Sequence, residues 1–421
     1  MAKILVLTVG GSCEPIVNAI MQTNADFVYF VCSSGSKGSR RVVDGKDKPC
    51  RETKSDGTLI SLPSIVEQTG LKPENYEIIE LDDPDDFQMC YDRLCDLKKD
   101  MEKRFPNSDL NVIANYTGGT KTMSAVLVVF SLFVDWNLQH NVGKRVDLIR
   151  VRSGDIPVPV EISKIRLYQH LRTAKEFIQN YYYGEAVRVI EEAIRNSRYI
   201  DTETRKNLIT LEGLCKGFYE WDLFCHEKAL RLLESHGQIV GNWLGFLKKL
   251  INVQKQWEGG YEEIEDILLN AERREVQNRF DDAVARLYRA VELLAQVRLK
   301  KQYKLDTSNL DMSKVPESVR KKIIPDDDGK VRIGQRWAYE ILASMENEPV
   351  GTVYRNWERK LSDALTKRNS SILAHGNIPI DKATYDEVSN TVNSFINEAF
   401  DVIKHKRQMK QFINKFEFLE M

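Results

Sequence analysis

Ile4-Leu5-Val6-Leu7-Thr8-Val9-Gly10-Gly11 decides how the front of the chain is read. An unbroken apolar run closed by two glycines has the pattern of a strand buried on both faces and followed by a tight turn, as in parallel sheets. The run is too short for a membrane span or the core of a secretion signal. Beyond it, Ile16 to Met21 reads as a helix, Phe27 to Cys32 as a second buried strand and Tyr76 to Leu81 as a third. Phe87 to Phe105 is an amphipathic helix, Leu110 to Asn115 a fourth strand, Met123 to Val134 a buried helix, and Arg145 to Val151 a fifth strand. Strands alternating with helices predict a doubly wound, Rossmann-like α/β domain over residues 1–160. The polar, glycine-rich stretch from Ser33 to Thr58 is expected to be a long loop or insertion.

After Pro157 and Pro159 the character changes, and from Arg172 onward the chain reads as almost wholly helical. Tyr183-Gly184-Glu185-Ala186 and Phe280-Asp281-Asp282-Ala283 each open a helix, two echoes of helical-hairpin units that do not add up to a solenoid. The expected layout is a helical linker region over 161–270 and an all-α domain over 271–421. An insertion near 303–334, marked by Pro316, Pro325 and Asp326-Asp327-Asp328-Gly329, is expected to be mobile. A length of 421 residues suits two or three domains.

Lys and Arg total 61 against 62 Asp and Glu, a net charge of −1, so nucleic acid would have to meet a local basic site rather than a global field. Seven cysteines without a CxxC pair or a Cys/His cluster at zinc spacing predict reduced thiols in a cytoplasm, and no metal. The closest pairs, Cys90/Cys95 and Cys215/Cys225, fall in segments that read as helical. His140, His170, His226 and His236 lack partners at metal spacing and are read as structural. Tyr181-Tyr182-Tyr183 is read as packing between helices. Lys404-His405-Lys406-Arg407 with Lys410 forms a basic cluster on the final helix, either a solvated face or a guide for RNA.

In a doubly wound sheet, ligands bind beyond the carboxyl ends of the strands. Three segments end strands there with small and hydroxylated residues: Thr8-Val9-Gly10-Gly11-Ser12, Cys32-Ser33-Ser34-Gly35 and Asn115-Tyr116-Thr117-Gly118-Gly119-Thr120-Lys121. Glycines let backbone N–H groups approach an anion, and the helix following Lys121 points its N-terminus at the same place. Lys121 adds a point charge, and the hydroxyls can bond ribose or phosphate oxygens. The other reading of these segments is plain glycine-rich turns. Neither GxxxxGK[ST] nor GxGxxG is present, which argues against ATP hydrolysis and dinucleotide binding.

Near the other end, Leu361, Leu365, Arg368, Ile372 and His375 step by four, three, four and three, placing them on one face if the segment is helical. Two helical turns separate Arg368 from His375, roughly 10 Å of rise, so both side chains could converge on one phosphate. A histidine titrates near neutrality and moves protons, an arginine neutralises a crowded phosphate, and Asn369 can orient either. The competing reading is a helix end where Arg368 pairs with a carboxylate and His375 caps the last turn. One histidine per chain is too few for separate acid and base roles, so a composite site built from two copies is expected.

Asn115-Tyr116-Thr117-Gly118-Gly119-Thr120-Lys121-x-Met123 resembles the signature of CRISPR-associated Rossmann-fold (CARF) domains. Arg368-Asn369 followed by His375 resembles the R-x4–6-H motif of HEPN ribonucleases. In that order the two resemble the CARF–HEPN ribonucleases of type III CRISPR systems. The resemblance covers both ends, while residues 165–270 enter through helical character alone.

It implies a cytoplasmic homodimer whose CARF-like domain binds cyclic oligoadenylate, with tetra-adenylate the expected ring and hexa-adenylate open. Gly10, Gly11 and Ser12 would form one ligand loop, and Thr117, Gly118, Gly119, Thr120 and Lys121 the other, with Lys121 nearest the phosphates and Ser33 on the loop between. It implies metal-independent cleavage of single-stranded RNA in antiviral defence, with Arg368, Asn369 and His375 catalytic and 2′,3′-cyclic phosphate products. The tri-helical DNA-reading module of regulatory relatives is missing, so no DNA partner is expected. Two further readings stand beside this one: a non-catalytic nucleotide sensor or scaffold, and a domain that slowly cuts its own ring with Thr8, Ser12 or Thr117 positioning a ribose.

Overall fold

The computed structural model describes residues 2–53, 58–106, 109–143, 155–196, 201–256, 260–324, 330–369, 371–373 and 376–415. It divides into two compact units, Met1–Arg166 and Leu167–Met421.

The first unit runs β1 (Ala2–Val9), α1 (Glu14–Thr23), β2 (Phe27–Ser33), α2 (Arg40–Asp44), β3 (Cys50–Thr53), β4 (Leu59–Leu62), α3 (Ile65–Thr69), β5 (Tyr76–Leu81), α4 (Phe87–Arg104), β6 (Leu110–Asn115), α5 (Lys121–Phe133), β7 (Asn137–Val142) and β8 (Ile156–Pro159). Its main sheet has the order β5-β2-β1-β6-β7-β8, parallel except for the last pair. β1 lies inside the sheet, and its side chains alternate between two cores. Ile4 and Val6 pack with α4 and α5 residues such as Leu94 and Leu127, while Leu5 and Leu7 pack with Ile16 and Ala19 of α1. Burial on both faces is why this strand reads as a continuous apolar run. The fold is the expected Rossmann-like α/β domain.

Two expectations change here. The strand expected over Arg145–Val151 lies outside the described residues; among the described ones β7 pairs with β6 and is followed by the antiparallel edge strand β8. Ser33–Thr58 is not a plain loop, because it holds α2 and β3, and β3 pairs antiparallel with β4. The thiols are not all reduced. Cys13, at the start of α1, and Cys50, at the start of β3, form a disulfide across a sequence separation of 37, with Cα atoms 5.8 Å apart; the other five cysteines are free. No local spacing motif announces such a pair, since only the fold brings it within bonding range.

Closing a loop of that length should constrain the unfolded chain by on the order of 4 kcal/mol. Replacing Cys13 and Cys50 together by serine is therefore expected to lower the urea midpoint, and a reductant should lower that of the native chain alike. An unchanged midpoint in both would show that the bridge does not form in solution.

The second unit is helical: α6 (Ser163–Gln179), which starts at the end of the first unit, α7 (Tyr183–Asn196), α8 (Thr202–Asp222), α9 (His226–Leu233), α10 (Gly237–Lys255), α11 (Glu262–Val276), α12 (Phe280–Tyr303), α13 (Glu317–Arg320), α14 (Gln335–Ser344), α15 (Pro349–Asn369) and α16 (Lys382–Val402). It has two hydrophobic cores. One is built from α6 to α10 and includes Phe412; the other spans α11 to α16.

The insertion near 303–334 is packed rather than loose over its described residues. Leu305, Leu310, Val315, Val319, Ile323, Val331 and Ile333 are all buried in the second core. Leu310 N–H donates to the Val331 carbonyl at 2.9 Å, and Ile333 N–H to that of Thr307 at 3.0 Å. Apolar anchors spaced without helical or strand period carry no local signal, which is why the segment reads as a loop. Pro325–Gly329 lies outside the described residues. Among the described residues no helix is long and apolar enough to cross a membrane.

Candidate functional site

β2, β1 and β6 are adjacent parallel strands, so the three loops singled out in the sequence leave the sheet on the same edge. The first and third touch. A Cβ on Gly118 would lie 2.3 Å from the Thr8 carbonyl oxygen, and one on Gly10 would lie 2.9 Å from the Gly119 nitrogen. Gly119 also has φ +84°, a left-handed conformation suited to glycine. The pair is fastened by the Thr8 hydroxyl, which donates to the Gly118 carbonyl at 2.7 Å, joined there by Ser124 Oγ at 2.9 Å.

Thr120 caps α5. Its Oγ1 accepts from Met123 N–H at 3.2 Å and donates to the Pro84 carbonyl at 2.7 Å. Lys121 follows, exposed at the first turn of the helix. Gly11 and Ser12 are exposed ahead of α1. Ser33 is used differently from its neighbours: it exchanges two hydrogen bonds with Ser39, N–H to Oγ at 3.0 Å and Oγ from N–H at 2.9 Å, which closes the turn into α2. The first and third loops thus form a glycine-lined rim at one end of the sheet, with the positive end of α5 and Lys121 beside it.

Polar residues missed in the sequence sit behind this rim. Asn115 is fully buried, and its Nδ2 donates to Gln139 Oε1 at 3.0 Å and to Asn141 Oδ1 at 2.9 Å. Asn141 in turn bonds Pro15, Asp155 and Thr117. The signal is the polar string Asn137-Leu-Gln-His-Asn-Val142, which does not alternate apolar and polar residues, because its amides bond polar residues of neighbouring segments: Asn111, Asn115 and Asp155.

In the helical unit, α15 begins at a buried carboxylate. Glu348 accepts from Arg298 Nε and Nη2, both at 2.9 Å, from the Tyr303 hydroxyl at 2.7 Å and from Val350 N–H at 3.0 Å. Burial works against the charge on Arg298, but the Glu348 hydrogen bonds outweigh it and hold the guanidinium above its ordinary range. α15 is tied to α16 by Trp357 Nε1–H donating to Glu398 at 2.7 Å and by the Lys367–Glu387 ion pair. Arg368 and Asn369 lie in the last turn of α15, with side chains outside the described ones, and His375 lies outside the described residues.

The continuous helical stripe through Ile372 does not form. α15 stops at Asn369, and Ile372 and Leu373 are exposed at 57% and 52%. Beyond the helix, Ser371 bridges to Ile378, Gly376 N–H donates to the Ser371 carbonyl at 3.1 Å, and Ile380 N–H donates to Asp281 Oδ2 at 3.1 Å. Asn-Ser-Ser at 369–371 explains the stop, since such side chains compete for backbone hydrogen bonds.

The remaining features are structural. Tyr183 is buried and stacked on Phe218 at 5.5 Å. His226 is held between Gln254 and Asp266, each at 3.0 Å. Cys90 and Cys95 lie on α4 and Cys215 on α8, but Cys225 precedes α9 in a turn. The basic cluster is not on a helix: α16 ends at Val402, Lys404 takes φ 58°, and His405 turns back onto Glu265 at 2.7 Å.

An α/β domain with glycine- and hydroxyl-lined strand ends, ahead of a helical unit whose sequence carries Arg368-x6-His375, is the layout that the resemblance to CARF–HEPN proteins implies. Residues 229–399 match the family model of the Csm6 HEPN domain. The match lies within the helical unit and marks that part of the chain as similar to a HEPN domain. No curated protein matches it.

Among solved structures, Enterococcus italicus Csm6 bound to cyclic hexa-2′-fluoro-hexa-dAMP matches 97% of this chain and 96% of its own, with TM-score 0.58 and 13% identity, a likeness of fold. Protein VC1899 from Vibrio cholerae matches 50% of this chain and 57% of its own, with TM-score 0.24 and 11% identity. Can2 from Sulfobacillus thermosulfidooxidans in complex with cyclic tetra-adenylate matches 54% of this chain and 68% of its own, with TM-score 0.22 and 15% identity.

Proposed function

We propose that the chain is a cytoplasmic, homodimeric endoribonuclease of antiviral defence, switched on by cyclic oligoadenylate and cutting single-stranded RNA without a metal. The observation that carries this reading is the position of Arg368-Asn369-x5-His375 inside the segment that matches a HEPN domain, in a chain whose α/β domain has a glycine-lined rim. The rim of Gly10, Gly11, Ser12 and Thr117 to Lys121, with Ser33 shaping the neighbouring turn, takes the ring phosphates. The fold shared with a Csm6 that carries a cyclic hexa-nucleotide supports a ring as ligand. Tetra-adenylate is the proposed activator, because Gly-Gly-Thr-Lys loops suit a small phosphate ring.

In the helical domain, His375 removes the proton of the RNA 2′-hydroxyl, which attacks the adjacent phosphorus and expels the 5′-oxygen. The oxygen leaves with a proton from the second His375 of the dimer, giving a 2′,3′-cyclic phosphate and a 5′-hydroxyl. Arg368 neutralises the phosphate as charge builds on it, and Asn369 orients the histidine. The domain layout that serves this is a sensor over 1–160, a helical connection over 161–270 and the cleaving domain over 271–421. Ligand binding at the sensor dimer shifts the spacing of the two cleaving sites.

The test is cleavage of a fluorescent single-stranded RNA in EDTA with no ring, with cyclic tetra-adenylate and with cyclic hexa-adenylate. Cleavage is expected only with a ring, and more strongly with the four-membered one. Loss of activity on chelation would overturn metal independence. Ring binding without any cleavage would favour a sensor or scaffold that does not cut.

A further inference from the structure

We infer that Asn141, seated on Asp155, is the positioning residue that sets the Thr117 hydroxyl for an oxygen of the bound ring. The inference rests on the ring-binding reading above and names a residue that neither the sequence motif nor the strand-end glycines include.

Thr117 is exposed on the third loop, where a ligand would meet it. Its oxygen accepts from Asn141 backbone N–H at 2.7 Å, a bond of ordinary length that leaves the hydroxyl proton to be placed elsewhere. That proton points to Asn141 Oδ1 at 3.3 Å, longer than a good O–H···O bond. The hydroxyl is therefore held by its oxygen and only loosely parked by its proton. A ligand oxygen nearby can take the proton without breaking the bond that fixes the oxygen.

Asn141 itself has no freedom to follow. Its Nδ2 donates to the Pro15 carbonyl at 2.7 Å and to Asp155 Oδ2 at 2.8 Å, and its Oδ1 also accepts from Asn115 at 2.9 Å. Both amide protons and both lone pairs are thus in use. Asp155 is 6% exposed, and its other oxygen accepts from Asn18 Nδ2 at 2.6 Å. An ionised carboxylate accepts only, so Asp155 dictates which end of the Asn141 amide faces it and therefore that Oδ1 faces Thr117. The same amide joins the two ligand loops, because Pro15 lies three residues beyond Ser12 while Thr117 begins the other loop. Ligand contacts on one loop are thereby registered against the other.

A purely structural network would lower stability when cut, with the same effect on binding whether or not the Thr117 hydroxyl is present. A double-mutant cycle separates the two cases. Dissociation constants for cyclic tetra- and hexa-adenylate are measured by calorimetry on the full chain carrying Thr117→Val, Asn141→Ser or both. Thr117→Val is expected to weaken binding about tenfold, and Asn141→Ser about fivefold. The double variant should bind no more weakly than Thr117→Val alone.

Factors that multiply in the double variant, or an Asn141→Ser chain that binds like the native one, would overturn the positioning role. Should Asn141→Ser not fold, the isosteric Asp155→Asn takes its place, with a loss of about threefold in the native background and none with Thr117→Val; equal losses in both backgrounds would overturn the role as well. A native chain that binds neither ring overturns the ring-binding reading and this inference together, whereas binding with multiplying factors overturns this inference alone.

Discussion

Replacing His375 by alanine is expected to lower ring-dependent RNA cleavage by about 10²- to 10⁴-fold while leaving ring binding unchanged. No other histidine belongs to the motif, and two others of the helical unit already hold partners: His226 holds Gln254 and Asp266, and His405 holds Glu265. Single-turnover cleavage under saturating ring, beside calorimetric ring binding, measures both halves of the expectation. A variant that still cuts at near-native rate would place the chemistry elsewhere, and one that also loses the ring would make His375 a folding residue. Mixed dimers with one native and one variant chain add a further check. A composite site should leave them close to inactive, whereas two independent sites would leave about half of the activity.

The largest stability effect is expected at Glu348. Its side chain is fully buried and accepts four hydrogen bonds, two of them from an Arg298 guanidinium whose own side chain is 14% exposed. Removing the carboxylate by Glu348→Ala strands a charged group in an apolar core, which typically costs 3–5 kcal/mol, or roughly that. Replacing Arg298 and Glu348 together by apolar residues of similar size should restore much of the loss, because the desolvation penalty then disappears with the charges. Urea unfolding of the single and double variants tests this, and equal midpoints would show that the pair contributes nothing. Glu348 starts the helix that ends at Arg368 and Asn369, about 30 Å away by helical rise. The folded fraction of the Glu348 variant should therefore retain the native cleavage rate per active molecule.

What the sequence disclosed depended on how locally each feature is encoded. β1 and β2 are buried on both faces, so their apolar runs declare them, and the Gly-Thr-Lys segment after β6 is read from the conformations only glycine tolerates. β7 was overlooked because Gln139 and Asn141 point at Asn115 and at Asp155, partners 14 to 26 residues away in the chain. The Cys13–Cys50 bridge and the buried anchors of 303–334 were likewise invisible, since each depends on contacts that only the folded chain creates. At the C-terminal motif the residue types were legible but not the end of the helix: a spacing of four and three continues on paper through Ile372, while the backbone leaves the helix at Asn369.

The segment that follows α16 has a bearing on how the molecule is made. Gln408 and Met409 N–H groups bond Glu265, Trp243 donates to the Gln411 carbonyl, Arg273 lies 3.7 Å over the Phe412 ring, and Phe412 itself is 3% exposed within the core of α6 to α10. A ribosome delivers α6 to α10 well over a hundred residues before Phe412. That core must wait, open on one side, until α11 to α16 have emerged and the chain has turned back. Contacts of such high sequence separation slow folding and leave apolar surface uncovered during synthesis. The core of α6 to α10 is thus finished last, after the elements that precede and follow it in the chain.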